Sequence, residues 1–194
     1  MIKAIIFDCF GVLTKDWWRE FLSTLPEGPG KKKAKELNHQ WDAGLITIKQ
    51  FVQGVHEATG RQPEPIEQMM TVPKVLKNTE LLDYIRTLKP LFKIGLLSNI
   101  GTNWIRENFL TKDEQKLFDD LVFSYEIGVI KPEPKIYQIA AERLSVAPKE
   151  TVFIDDVNTY CLAAQGLGFK TINYKDFSQM KQELEKILAA DSDN

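Results

Sequence analysis

Apolar residues gather in short runs at five places: 2–7 (IKAIIF), 92–98 (FKIGLLS), 120–124 (DLVFS), 151–155 (TVFID) and 169–173 (FKTIN). Runs of this length that do not alternate with polar residues are those of strands buried on both faces. Between and after the later runs the period changes. Leu81, Leu82, Ile85 and Leu88 form one face behind the capping candidates Asn78 and Thr79. Pro132 is expected to open a further helix, with Ile136, Ile139, Ala140 and Leu144 turned inward. Phe177, Met180, Leu184, Ile187 and Leu188 mark a last one. Strands alternating with helices predict βαβ units and a parallel sheet covered on both sides.

Residues 15–77 break the alternation and contain no strand pattern. Trp17, Trp18, Phe21 and Leu22 suggest one helix, and Leu37 with Trp41 a second. Thr47 and Gln50 form a capping box ahead of Phe51, Val52 and Val55. The fold class expected is therefore α/β: a Rossmann-like parallel core made of residues 1–14 and 78–194, with a small all-helical cap, 15–77, inserted after the first strand. The joints are expected at 14–16 and 72–78, the second marked by Pro73 and Asn78.

Composition removes several function classes. The chain of 194 residues carries a formal net charge of −2, which gives no electrostatic case for nucleic acid or an acidic membrane surface. The densest basic run, Lys31 to Lys35, reads as a solvated loop or helix start. No window approaches the roughly eighteen apolar residues of a membrane span, and the N-terminus lacks the apolar core of a signal peptide. Cys9 and Cys161 stand alone in apolar surroundings, so they read as buried free thiols of a cytoplasmic protein. His39 and His56 occupy unrelated places and read as incidental helix residues, while Trp17, Trp18 and Trp41 read first as packing. A monomer or weak homodimer is expected.

The candidate chemistry lies where the apolar runs end. In a parallel sheet the carboxyl ends of the strands share one edge, and ligands bind there. The first run ends on Asp8, the second on Ser98 and Asn99, and the fourth on Asp155 and Asp156; Lys131 follows the third. Converging carboxylates repel unless a cation lies between them, and an all-oxygen donor set suits a hard ion such as Mg²⁺. A metal and Lys131 can neutralise a bound phosphate, with Ser98 and a backbone N–H near Asn99 as donors to its oxygens. Asp8 then becomes a candidate nucleophile.

The segments IIFDCFGVL, LLSN, GVIKPEPKIY and TVFIDDVNTYCLAAQGLGF, in this order, resemble the motifs of the haloacid dehalogenase superfamily of aspartate-nucleophile hydrolases. The helical insertion resembles the cap of many members, and WDAGLITIKQF is similar to cap segments of sugar-phosphate phosphatases. The resemblance implies an aspartyl-phosphate on Asp8, Ser98 and Asn99 holding the phosphoryl oxygens, and Lys131 balancing charge. It also implies Mg²⁺ held by Asp8, the main-chain carbonyl of Phe10, Asp156, and Asp155 directly or through water. The expected activity is hydrolysis of a small phosphorylated metabolite, a sugar phosphate among the candidates.

Phe10 departs from that pattern. Most phosphatases of the family carry there a second aspartate, which protonates the leaving oxygen and then activates water. Without it, a preference for aryl and acyl over alkyl phosphates is expected, unless water or a cap residue such as Asp16 supplies the proton. Dehalogenases of the family tolerate an aromatic at this place but usually lack the metal-binding acid pair, which here is Asp155 and Asp156. A 2-haloacid dehalogenase and a catalytically weak phosphate-ligand-binding protein are the alternatives.

Overall fold

A computed structural model describes residues 1–71 and 76–192. Five parallel strands form one sheet: β1 (Ala4–Phe7), β2 (Lys93–Ser98), β3 (Asp120–Phe123), β4 (Thr151–Asp155) and β5 (Lys170–Asn173). Their spatial order is β3-β2-β1-β4-β5. The expected Rossmann-like α/β core is present, and each apolar run holds a strand within a residue or two of its bounds.

Alternation along β1 separates two cores. Ile5 and Phe7 enter the cluster that contains Leu96, Phe123 and Ile154. There they meet α5 (Thr79–Leu88) and α10 (Phe177–Ser192), through Leu81, Leu82, Ile85, Met180 and Leu184. Ile6 faces the other way, onto Leu97, Val122 and Phe153. Helices α8 (Pro134–Arg143) and α9 (Asn158–Gly166) cover that side through Ile136, Tyr137, Ala140 and Ala164. All four β1 side chains are buried, which is why the run is unbroken rather than alternating.

Among the described residues four helices separate β1 from α5: α1 (Trp17–Ser23), α2 (Pro29–Asp42), α3 (Ile48–Thr59) and α4 (Pro63–Thr71). They have their own apolar cluster, with Ala34, Leu37, Trp41, Phe51, Val55 and Ile66 at its centre. The Thr47–Gln50 capping box is formed at the start of α3. Lys31 to Lys35 lie in the first turns of α2. Helix α4 carried no sequence signal strong enough to predict it.

The ends of this block return to one place. Thr14 pairs with Lys77, the Asn78 N–H donates to Leu13 O at 2.8 Å, and the Asn78 amide reaches Val12 O at 3.1 Å. The expected joint at 72–78 falls partly on 72–75, which lie outside the described residues. Asn78 also caps α5, accepting from the Leu81 N–H.

One helix start differs from expectation. α8 opens at Pro134, not Pro132, with Glu133 as its N-cap. Either proline fits a first turn. However, a residue that precedes proline is pushed out of the helical region, and Glu133 is extended, at ψ 132°. Lys131 therefore lies in a turn three residues before the first residue of the helix. Helix α7 (Ser124–Ile127) and the short helix α6 (Lys112–Gln115) complete the set, with a π-helical turn at Ile105–Phe109 and a 3₁₀ turn at Pro148–Glu150. Among the described residues no helix is long and apolar enough to cross a membrane.

Candidate functional site

Strand order places the chemistry. β1 is central, with β2 on one side and β4 on the other, so the chain reverses its direction of progress between β1 and β4. A crevice opens at such a switch point beyond the carboxyl ends of the strands. Asp8 leaves the end of β1, its N–H still bonded to Ile154 O at 2.9 Å. Asp155 and Asp156 leave the end of β4.

The loop after β1 is held by its own backbone. Cys9 O accepts from the N–H groups of Leu13 and Thr14 at 2.8 and 3.0 Å. Gly11 has φ +88°, and a methyl group there would overlap the Asp156 carboxylate. Only glycine fits both demands. Gly11 therefore lets the main chain beside Phe10 approach the β4 acids, a role that sequence reasoning missed.

Three carboxylates converge. Asp8, Asp155 and Asp156 each offer an oxygen within 4.8 Å of the others. Lys131, 1% exposed, lies 2.8 Å from Asp8 Oδ1 and 2.6 Å from Asp155 Oδ2, and donates to Leu97 O at 3.2 Å. Burial pushes the Asp8 carboxyl up to about 8; Lys131 opposes this, while Asp155 and Asp156 add to it. Burial works against the Lys131 charge, but Asp155 and Asp8 outweigh it and hold the ammonium above the ordinary lysine range.

The two β4 acids are not equivalent. Asp155 is fully buried with both oxygens engaged, one by Lys131 and one by the Val157 N–H at 2.8 Å. Asp156 pairs through Oδ2 with Arg19 of α1, and its Oδ1 is buried without a hydrogen-bond partner among the described residues. The buried Ser98 hydroxyl likewise has none. The Asn99 amide is committed to Lys131: it donates to Lys131 O at 3.0 Å and accepts from Lys131 N at 2.8 Å. Asn99 thus fixes the turn that delivers Lys131, and its main chain is what remains for a ligand.

A cavity of about 420 Å³ opens above this floor. Asp8, Asn99 and Lys131 reach it from the strand ends, together with Phe10 and Trp104, whose rings stack at 6.1 Å. From the helical block come Trp17, Trp18, Trp41, His39, Asn38 and Asp42. The tryptophans read as packing serve both purposes: Trp41 stacks on Phe51 at 5.0 Å and also walls the cavity. Arg19, Asn38 and Asp42 carried no signal in the sequence, because each owes its place to how the helical block sits on the sheet.

Burial also pushes the Asp42 carboxyl up, to about 8 from 3.8. The Asn38 amide lowers it, Asp16 raises it and Lys131 lowers it. The folded chain therefore binds this proton more tightly than the unfolded chain. Its contribution to stability is full below the unfolded value and is lost as the pH rises towards about 8. Asp42→Asn removes the titration. In EDTA, the Tm of this variant relative to wild type is expected to rise steadily from about pH 4 to about pH 8, by an amount worth a few kcal/mol. Parallel Tm curves for the two proteins would show that Asp42 is not a buried neutral acid.

Residues 2–168 match the family model of the haloacid dehalogenase-like hydrolases. The chain is 30% identical over 217 residues to bifunctional epoxide hydrolase 2 of Sus scrofa, covering 96% of this chain and 39% of that protein. It therefore spans well under half the length of that relative. It is 26% identical to a D-ribitol-5-phosphate phosphatase of Bacteroides thetaiotaomicron, over 97% of this chain and 99% of the other. A crystal structure of a HAD family enzyme from Bacteroides thetaiotaomicron, in complex with magnesium and inorganic phosphate, superposes with a TM-score of 0.67 at 28% identity, covering 93% and 99% of the two chains. Motif order, sheet and matched span agree, and the chain belongs to the haloacid dehalogenase-like hydrolases.

Proposed function

We propose that this protein is a Mg²⁺-dependent phosphatase of a small phosphomonoester, a sugar or polyol phosphate in the first instance, acting in the cytoplasm. The observation that carries the reading is the meeting of Asp8, Asp155 and Asp156 beside Lys131, where Asp8 and Lys131 line a cavity of metabolite size. The relatives act on, or are bound to, matching ligands. One is a sugar-alcohol phosphate phosphatase, and another holds magnesium and phosphate.

The donor set fits the ion. All three side chains offer carboxylate oxygens, and Asp156 Oδ1 has no hydrogen-bond partner among the described residues. Asp8, Asp156 and the Phe10 carbonyl would hold Mg²⁺, with Asp155 reached through water because Lys131 and Val157 occupy its oxygens. When bound, the ion supplies positive charge that screens the nucleophile from the phosphate.

The chain's own groups do the rest. An Asp8 oxygen attacks phosphorus and the bond to the leaving oxygen breaks. Ser98 Oγ and the backbone N–H beside Asn99 donate to the phosphoryl oxygens. Lys131 neutralises charge that spreads over them in the transition state. Water then attacks the aspartyl-phosphate at phosphorus and frees Asp8. Residues 15–77 act as the cap that closes the cavity and selects the leaving group.

A screen of sugar phosphates, polyol phosphates and 2-haloacids with Mg²⁺ and with EDTA tests this reading. Phosphate release that needs Mg²⁺ supports it. Halide release in EDTA supports instead the dehalogenase reading, which the aromatic Phe10 favours. Asp156→Ala removes the ligand with a free oxygen and is expected to raise the Mg²⁺ concentration for half-maximal activity at least about tenfold, with Asp155→Ala equal or milder.

A further inference from the structure

Phe10 holds neither a proton nor a lone pair for the leaving group, yet an alkoxide leaves poorly without a proton. We propose that Asp42, on the helix that roofs the cavity, is the general acid of this enzyme, giving its proton to the leaving-group oxygen in place of the aspartate that Phe10 replaces. The inference rests on the phosphatase reading above.

Three observations support the assignment. First, the end of α2 is seated on the strand-end edge. Asp42 O accepts from Ser124 Oγ at 2.6 Å, and a methyl group at Gly44 would come within 2.9 Å of Tyr125 O. One built at Gly101 would strike the Trp41 ring. Second, Asp42 is 7% exposed and lines the same cavity as Asp8 and Lys131. Third, its only side-chain partner is neutral: the Asn38 amide donates to Oδ2 at 2.7 Å, and Oδ1 has no hydrogen-bond partner among the described residues. Asn38 is itself 9% exposed and leaves its Oδ1 buried without a hydrogen-bond partner among the described residues.

Asp16 is the rival acid: burial pushes its carboxyl up as well, but unlike Asp42 it has a cationic partner, Arg19, that opposes the rise. Arg19 holds both of its oxygens, through the backbone N–H at 2.8 Å and the guanidinium at 3.1 Å. Among the described residues no ion pair holds Asp42 as an anion, and its burial disfavours the charged form.

The chemistry balances. As Asp8 attacks phosphorus, the P–O bond to the leaving alcohol breaks and its oxygen takes the proton from Asp42, which becomes a carboxylate. In the second step Asp42 takes a proton from the water that attacks the aspartyl-phosphate. The P–O bond to Asp8 then breaks, and Asp42 is again neutral. One group thus serves as acid and then base, as reversibility requires when water enters where the alcohol left.

The test compares wild type, Asp42→Asn and the double variant Phe10→Asp/Asp42→Asn on p-nitrophenyl phosphate, acetyl phosphate, ethyl phosphate and glycerol 1-phosphate, all with Mg²⁺. Asp42→Asn is expected to lower the ratio of alkyl to aryl kcat/KM by about 10²-fold. Phe10→Asp in that background is expected to restore the ratio, because it returns an acid to the site. Wild type itself should show only a shallow dependence on leaving-group basicity. A steep dependence there would count against Asp42 even if a variant does not fold, and the two variants separate Asp42 from Asp16 or water as the source of the proton. An equal loss on all four substrates, or a steep dependence in wild type, would overturn the assignment while leaving the phosphatase reading intact. A wild type inactive on every phosphate ester would overturn both.

Discussion

Asp8→Asn is expected to lower turnover by about 10⁴-fold or more while the fold persists. The amide has nearly the shape of the carboxylate but cannot attack phosphorus. It also removes a negative charge from the oxygens that would hold the metal. The fold should tolerate the change. The β1 ladder uses the Asp8 backbone, and Lys131 keeps its contact with Asp155 at 2.6 Å. Burial, Asp155 and Asp156 already disfavour the Asp8 charge, so a neutral side chain relieves repulsion. Thermal melts should therefore show a Tm no lower than that of wild type. Asparagine can deamidate and return traces of aspartate, so Asp8→Ala is the companion variant. Wild-type rates in both would remove Asp8 from the chemistry.

Lys131→Met is expected to damage both stability and activity. Removing one partner of a buried ion pair leaves uncompensated charge and typically costs about 3–5 kcal/mol. Here two carboxylates, Asp8 and Asp155, lose their shared cation inside the protein. The loss has a sign with pH. Without Lys131 the Asp8 carboxyl is pushed further up in the folded chain, so the defect is smaller at low pH and grows as the pH rises through the unfolded carboxylate range. Urea unfolding near pH 5 and near pH 8 reads this difference, and added Mg²⁺ should recover part of the stability. Lys131→Arg should not rescue turnover. The ammonium is 1% exposed among two carboxylates and a carbonyl, a place shaped for a point charge rather than a planar fork. Stability equal to wild type at both pH values would show that the buried ion pairs contribute nothing net.

How much of this could be read from the chain follows from where each residue gets its position. The strands were legible because a sheet covered on both faces leaves no polar alternation, and Ile5, Ile6 and Phe7 are all buried. Asp8, Ser98, Asn99, Asp155 and Asp156 were legible because they stand at the ends of those runs, where topology gathers them, and Lys131 because it lies in the segment that follows the third run. The Asn99 side chain was less so: its bonds to Lys131 cross 32 positions of sequence. Gly11 showed only as a glycine until the Asp156 carboxylate was found against it. Arg19, Asn38 and Asp42 were invisible as site residues. They belong to helices whose apolar faces pack on one another, and helical periodicity does not say which polar face meets the sheet. Helix α4, with Ile66 as its buried residue, offers too short an apolar stripe to stand out.

The most direct test of a phosphatase that works through Asp8 is to look for the intermediate. Wild-type protein, mixed with Mg²⁺ and its best phosphate ester and quenched in acid within one turnover, can be digested and weighed peptide by peptide. The expected result is one phosphoryl group on the peptide that carries Asp8, absent when EDTA is present and absent in Asp8→Asn. Phosphate released at an undiminished rate in EDTA, or a phosphoryl group found on a different residue, would contradict it.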